Sequence, residues 1–436
     1  MMKSSCLKEF IRYASLNSLG MIGLSCYILA DTFFVARGLG ASGLAALNIA
    51  IPVFSLIHGT GLMLGIGGAT CYSINISQGN KDKGNRFFSH TVSSGMMFAV
   101  VFILSGVFFS GPLAMILGAD GETFEMCRTY LRVLLLFSPF FIFNNILISF
   151  VRNDGYPHYA MTAMICGSFA NIIMDYIFIF PLKMGILGAV LATGFSPVIS
   201  MIIMSPLIFK RKISFGFVSG RLSLKLLLNI FGTGIPSLIT ELSSGIVIII
   251  FNIIILGLEG NVGVAAYGVV ANISLVVISI YTGVSQGAQP LISRYYGLGD
   301  SRAVKKLLKY SVITVSALSA AVYTAIFYGA YPIAAVFNSE GNYALQQTAV
   351  TGLKLYFLGC FFAGINIVLS VYFTSADNPR PAWIISLMRG FFIIIPIAFI
   401  MSGVWGMTGL WLAFPVAELI VCFLGMLIKI LNKSKK

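Results

Sequence analysis

The stretch "GLGASGLAALNIA" at residues 38–50 has a counterpart 220 positions later in "LEGNVGVAAYGVV" at 258–270: Gly40 meets Gly260, Gly43 meets Gly263, and Ala45-Ala46 meet Ala265-Ala266. "INISQGNKDKG" (74–84) faces "LISRYYGLGDSRA" (291–303), with Gly79 over Gly299. "GILGAVLA" (185–192) faces "GMTGLWLA" (406–413) at a shift of 221, and "RNDGYP" (152–157) faces "TSADNP" (374–379) at 222. Small residues are common in membrane helices, so one such match carries little. Four in order at a nearly constant shift mark a duplicated unit.

Each copy is built for lipid. Of 436 residues, 58% are hydrophobic and 10% charged, with mean hydropathy +0.94; soluble domains carry about a quarter charged residues. The apolar runs are continuous rather than alternating, which selects helices over a β-barrel. A helix needs about 20 apolar residues to cross the hydrocarbon core. Twelve runs qualify, near 12–36, 45–77, 90–117, 127–150, 159–182, 186–209, 226–257, 262–292, 308–337, 346–374, 382–404 and 407–430. The expected fold is therefore an all-α polytopic membrane protein, its twelve helices forming two six-helix lobes related by a pseudo-two-fold axis along the membrane normal. The N-lobe is expected over 1–210 and the C-lobe over 226–436, joined by a basic cytoplasmic linker at 211–225.

An even number of spans puts both termini on one side. Of the 28 Lys and Arg, 22 fall on that side, including Lys3, Lys8, Arg12, Arg152, Arg211 and the tail with Lys435 and Lys436. The opposite loops hold little beyond Arg37, Arg128 and Lys183, with acids at Asp120, Glu122, Glu259 and Glu340. The positive-inside rule then places both termini in the cytoplasm and the protein in the cytoplasmic membrane. The net charge of +14 reflects orientation and attraction to lipid headgroups. No basic soluble domain exists to carry nucleic acid. Lys3, Lys8 and Arg12 lead straight into a long helix, without the short apolar core and cleavage site of a signal peptide. The seven cysteines are scattered with no CxxC pair, so neither a disulfide framework nor a metal site is implied.

Few ionisable residues lie deep in the spans: Asp31, Asp175, Glu241, Arg389 and Glu418. Such residues are costly in lipid and usually mark a path for ions or substrate. In "FANIIMDYIFIF" (169–180), Asn171 and Asp175 stand four apart and share one helical face. Carboxylates beside an amide oxygen suit a small hard cation or a shared proton. A carboxyl group taken out of water also holds a proton more readily, and releases it when hydrated. At the repeat shifts Asp31 falls on Phe251 and Asp175 on Ile397, so the acid pair exists in one half only. Acids that merely glued the fold would be expected in both halves. Arg389 has a plainer reading as the partner of a glutamate. The 36 Phe and 18 Met are mostly packing and lipid contact, although a cleft lined with them suits bulky apolar cations.

With these stretches in view the whole chain resembles the multidrug and toxic compound extrusion (MATE) family, most of all its DinF-like and MepA-like bacterial members. The motif stretches are "YILADTFFVARGLG" (27–40), "SFANIIMDYIFIF" (168–180) and "GAVLAT" (188–193); "GTGIPSLITELSSG" (232–245) and "GVSQGAQPLISRYYG" (283–297) look like the family's second lobe. The resemblance implies a first-lobe cation site made of Asp31 in helix 1, Asn171 and Asp175 in helix 5, and Thr193 in helix 6, with Tyr27 one turn before Asp31. A sodium ion is the metal that Asp31, Asn171 and Asp175 would hold. Some archaeal members bend helix 1 at a proline; here no proline precedes Pro52, and Gly20 and Gly23 are left to permit flexing. NorM-like members carry second-lobe acids in helices 7 and 10, where this chain has Glu241 and Asn366. With Arg389, Tyr267 and Gln286, these are the second-lobe candidates for contact with substrate.

The expectation is a secondary antiporter exporting organic cations or amphipathic drugs by alternating access, driven by protons or sodium and needing no cofactor, and expected to act as a monomer. The alternative within the same superfamily is a flippase for lipid-linked saccharides or precursors. An enzyme is disfavoured: no HExxH, GxSxG or Walker A pattern occurs, and His58, His90 and His158 are far apart in sequence.

Overall fold

The computed structural model describes residues 2–121, 123–210, 212–338 and 341–433. Glu122, Arg211, Glu340, Lys435 and Lys436, counted above for charge, lie outside them. All regular structure among the described residues is helical. In lipid a backbone can satisfy its own N–H and C=O groups only by helices or a closed barrel, and the long apolar runs take the first route.

Twelve segments follow one another: α1 (Cys6–Gly40), α2 (Ser42–Ser77), α3 (Lys81–Ile116), α4 in two pieces (Phe124–Leu136 and Ser138–Asn153), α5 (Pro157–Ile179), α6 (Ile186–Phe209), α7 (224–260), α8 (260–297), α9 (Ser301–Phe337), α10 (Tyr343–Ser375), α11 (379–406) and α12 (406–433). The two pieces of α4 meet at 47°. The bend falls where Pro139 opens the second piece, because proline withholds a helical N–H.

The duplication is written in the backbone. Between α1 and α2 Gly40 takes φ 67°, ψ −159°, and between α7 and α8 Gly260 takes φ 61°, ψ −150°. Gly185 (63°, −142°) and Gly406 (57°, −136°) repeat the device before α6 and α12. This region of φ/ψ is open essentially to glycine alone, so each break is encoded by one residue in each half.

Two hydrophobic clusters hold the bundle. One is built from residues between Val35 and Ile230; the other runs from Phe251 to Val421 and also takes in Cys6, Phe10, Tyr13 and Ala14 from the start of α1. The first turns of α1 thus pack against the second half, an arrangement the apolar run beginning near residue 12 does not announce. The seam between the halves is tightest near the face that carries the linker. A β-carbon built on Gly234 of α7 would lie 1.9 Å from Met63 O of α2, and one on Gly67 would lie 2.2 Å from Ile230 O. On α8, one at Gly287 would come within 2.7 Å of the backbone of Ala14. Further from that face, a β-carbon on Gly245 meets Ile51 only at 3.8 Å.

Polar clasps reinforce the same end. Asn153 Nδ2 donates to Gln289 Oε1 (3.0 Å), Gln289 Nε2 donates to Thr70 Oγ1 (2.9 Å), and Arg294 meets Glu9 at 2.7 Å. Arg152, counted above among the charges of that side, sits in the last turn of α4, is 1% exposed and is held between the halves. The sequence cue ended that span at residue 150, but the helix runs on to Asn153.

The linker is irregular yet strapped to the first half. Ser214 N donates to Asp154 Oδ2 (2.7 Å), Gly216 N to Asn85 Oδ1 (3.1 Å), Val218 N to Ser89 Oγ (2.7 Å) and Ser223 N to His90 Nε2 (2.8 Å). Phe215 plugs into a ring cluster with Tyr72, Phe88 and Phe150.

Candidate functional site

Four helices of the first half converge on one polar pocket. On α5, Asn171 and Asp175 are both fully buried and project one above the other, as their spacing requires. α1 supplies Asp31, whose carboxyl group lies against that of Asp175. With its amide oriented by its partners, Asn171 donates to Asp175 Oδ2 (3.1 Å) and accepts from Thr193 N of α6 (3.2 Å). Thr193 Oγ1 donates to Ala189 O (3.1 Å) and meets the hydroxyl of Tyr130 from α4. Asp31, Asn171, Asp175 and Thr193 are therefore brought together, and Tyr27 is buried one turn away on α1.

Two ionised carboxylates in contact repel strongly unless a proton or a small cation lies between them. Asp31 Oδ1 and Asp175 Oδ1 are buried and have no hydrogen-bond partner among the described residues. Oxygen atoms left over in this way are the donors a proton or a sodium ion would occupy. The residues present fit either one.

Tyr130 escaped the sequence reading because it is one aromatic among many in an apolar run. The corresponding place in the second half is aromatic. Phe251, opposite Asp31 in the repeat, stacks on Tyr267 at 5.5 Å; Phe414, opposite Thr193, stacks on Tyr356 at 4.3 Å. Among the described residues no pair of acids stands there.

α1 borders both this pocket and a second space. A cavity of about 440 Å³ lies between the halves; Leu24, Tyr27 and Ile28 line it from α1, and Asp31 follows on the same helical stripe one turn further on, in the acid pocket with Asn171, Asp175 and Thr193, none of which lines the cavity. Glu241, Arg389, Asn366, Tyr267 and Gln286 all face the same cavity. Its walls mix rings such as Phe54, Phe141 and Phe414 with hydroxyl and amide groups, a lining suited to amphipathic molecules.

Arg389 stands on a π-helical turn (Met388–Phe392) and pairs with Glu418 at 2.5 Å. Asn366 Nδ2 donates to the other carboxylate oxygen at 2.7 Å and to Glu418 O at 2.8 Å. The plainer reading of Arg389 as a glutamate's partner therefore holds. Breaking a buried pair from one side strands the other charge, which costs about 3–5 kcal/mol, whereas replacing both is often neutral. Glu418→Leu is accordingly expected to lower the thermal unfolding temperature in detergent, and Arg389→Met with Glu418→Leu to restore most of it. A single variant as stable as the parent would show that the pair holds nothing together.

The fold and site define a polytopic, two-halved membrane transporter with a central cavity and a buried acid pocket. The chain belongs to the MatE family, whose model matches residues 18–177 and 236–400. It is 27% identical over 436 residues to the multidrug export protein MepA of Staphylococcus saprophyticus, covering 99% of this chain and 95% of that one. MepA of Staphylococcus aureus is 26% identical over 435 residues, with the same coverage. Among solved structures, the outward-facing conformation of a multidrug resistance MATE family transporter of the MOP superfamily superposes with a TM-score of 0.92 at 24% identity, over 98% of this chain and 96% of that one. The relatives are transporters rather than enzymes.

Proposed function

We propose that the chain is a cation-coupled antiporter that exports amphipathic or cationic small molecules across the cytoplasmic membrane by alternating access, with protons or sodium as the driving ion. One observation carries the reading: a single stripe of α1 presents Tyr27 to the central cavity and, one turn further on, Asp31 to the acid pocket. Whatever occupies the pocket therefore acts on a wall of the drug site. A proton or sodium ion between Asp31 and Asp175 draws α1 toward α5 and reshapes the wall that Tyr27 presents, which favours release of the drug; its loss leaves two repelling carboxylates and returns α1 to the drug-binding arrangement. Ser25 Oγ and Thr32 Oγ1 donate to the carbonyls of Met21 and Ile28, four residues back. Such back-bonding softens and bends helices, giving α1 compliance without a proline.

In this scheme the halves 1–210 and 226–436 rock as lobes about the linker, both termini face the cytoplasm, and the monomer suffices. The tight seam at the linker face then makes the described conformation one that is sealed toward the cytoplasm. The names of the relatives support drugs as cargo. The test is efflux of a cationic dye from proteoliposomes under separately imposed proton and sodium gradients. Saturable export driven by at least one of them is expected. Dye movement that runs only down its own gradient and does not saturate would replace the carrier with a channel.

A further inference from the structure

The most unusual charge in the protein is Arg152. It is 1% exposed, yet it contributes to the lining of the central cavity. Its Nη1 donates to Asn17 Oδ1 of α1 and to Gln286 Oε1 of α8, each at 3.0 Å. Both acceptors are neutral amides. Its Nε is buried with no partner, and no carboxylate among the described residues pairs with it. A buried cation without a counterion is expensive, and a free N–H on it adds the cost of an unmade bond. The other ionised groups at the cavity explain themselves differently. Arg389 and Glu418 neutralise each other. Glu241 keeps an unpaired carboxylate among the described residues and lines the same space.

The cavity thus offers one unpaired acid and one unpaired base. A purely cationic ligand would answer Glu241 and leave Arg152 uncompensated. The guanidinium is a planar fork whose donors match a carboxylate in a two-point contact. The repeat sharpens the point: the residue opposite Arg152 is Thr374, which also lines the cavity, so the charge was not imposed by the fold of the repeating unit.

Resting on the proposed role of this cavity as the drug site, we infer that its preferred cargo is zwitterionic: an amphipathic molecule whose carboxylate is taken by Arg152 and whose cationic end is answered by Glu241. Binding of the carboxylate supplies the counterion that the guanidinium lacks. It also competes with Gln286 for the guanidinium and so loosens a contact that joins α4 to α8 across the seam.

The test compares a xanthene dye carrying a free carboxylate with its methyl ester, which keeps the cation and removes the anion. Binding to the full-length protein in detergent is followed by fluorescence polarisation. The acid is expected to bind the parent protein about ten-fold more tightly than the ester. In Arg152→Gln that preference is expected to vanish, the acid binding no more tightly than the ester. If Arg152→Gln fails to fold, the comparison on the parent protein decides alone, and Arg152→Lys, which keeps the charge but not the fork, is expected to retain part of the preference. Equal or tighter binding of the ester by the parent overturns the inference while leaving drug export standing. Failure of both dyes to bind counts instead against the cavity as a drug site, and overturns both readings. Competition by a short-chain phosphatidylglycerol that disappears in Arg152→Gln assigns the guanidinium to an anionic headgroup, and overturns the assignment to drugs.

Discussion

Asp175→Asn is expected to abolish gradient-driven export while leaving a folded protein. The substitution keeps the volume and the contact with Asn171, and it removes the charge that faces Asp31. No repulsion then arises when the coupling ion leaves, so α1 has nothing to respond to. Coupling free energies between sites are typically about 1–3 kcal/mol, or about 5–150-fold, and an effect at the upper end is expected because the pair is the only one of its kind among the described residues. Asp31→Asn should behave alike, and combining the two should add little, since either removes the repulsion. Thermal unfolding in detergent checks the fold and dye efflux checks the coupling. Full activity in either single variant would sink the coupling role.

Gly234→Val should abolish transport by another route. The new side chain would enter the backbone of Met63, since a β-carbon at Gly234 already lies 1.9 Å from Met63 O. Overpacking costs about 1–3 kcal/mol, and backbone cannot yield as a side-chain tip does. The halves would be wedged apart at the linker face, and the equilibrium moved away from the sealed conformation by about ten-fold or more. Cys71 reports on this directly. It is buried in the seam with its Sγ 3.9 Å from Thr233 Oγ1, so its labelling by a polar maleimide, resolved by peptide mass spectrometry from that of the exposed Cys26, should accelerate. Unchanged labelling together with normal transport would show that this seam does not open in the cycle.

Much of the fold was legible because a bilayer leaves few choices. The apolar run 186–209 coincides with α6 (Ile186–Phe209), and 159–182 differs from α5 (Pro157–Ile179) by a few residues. The starts of α3 and α9 were hidden. The runs begin near 90 and 308, but the helices begin at Lys81 and Ser301, because polar first turns outside the apolar core are as helical as the rest. At α9 the start is fixed by Asp300, whose side chain accepts from Arg302 N and Ala303 N. The acid pocket was legible in part: periodicity paired Asn171 with Asp175, and family resemblance joined Asp31 and Thr193 to them. Contact between Asp31 and Asp175 depends on how α1 packs on α5, which no local pattern states. Arg152 and Tyr130 were missed for the same reason, since only tertiary packing turns the end of α4 inward and brings a tyrosine to Thr193.

The central claim is that drug and cation are read by successive turns of one face of α1. Its most direct test is release of the coupling ion when drug binds. A cationic dye is added to purified protein in weakly buffered detergent, and freed protons are followed with a pH indicator or freed sodium with an isotope. Release is expected from the parent protein, at up to one ion per bound dye, and none from the Asp31→Asn, Asp175→Asn double variant binding the same dye. Dye binding that leaves the ion content of the parent protein unchanged would contradict the account.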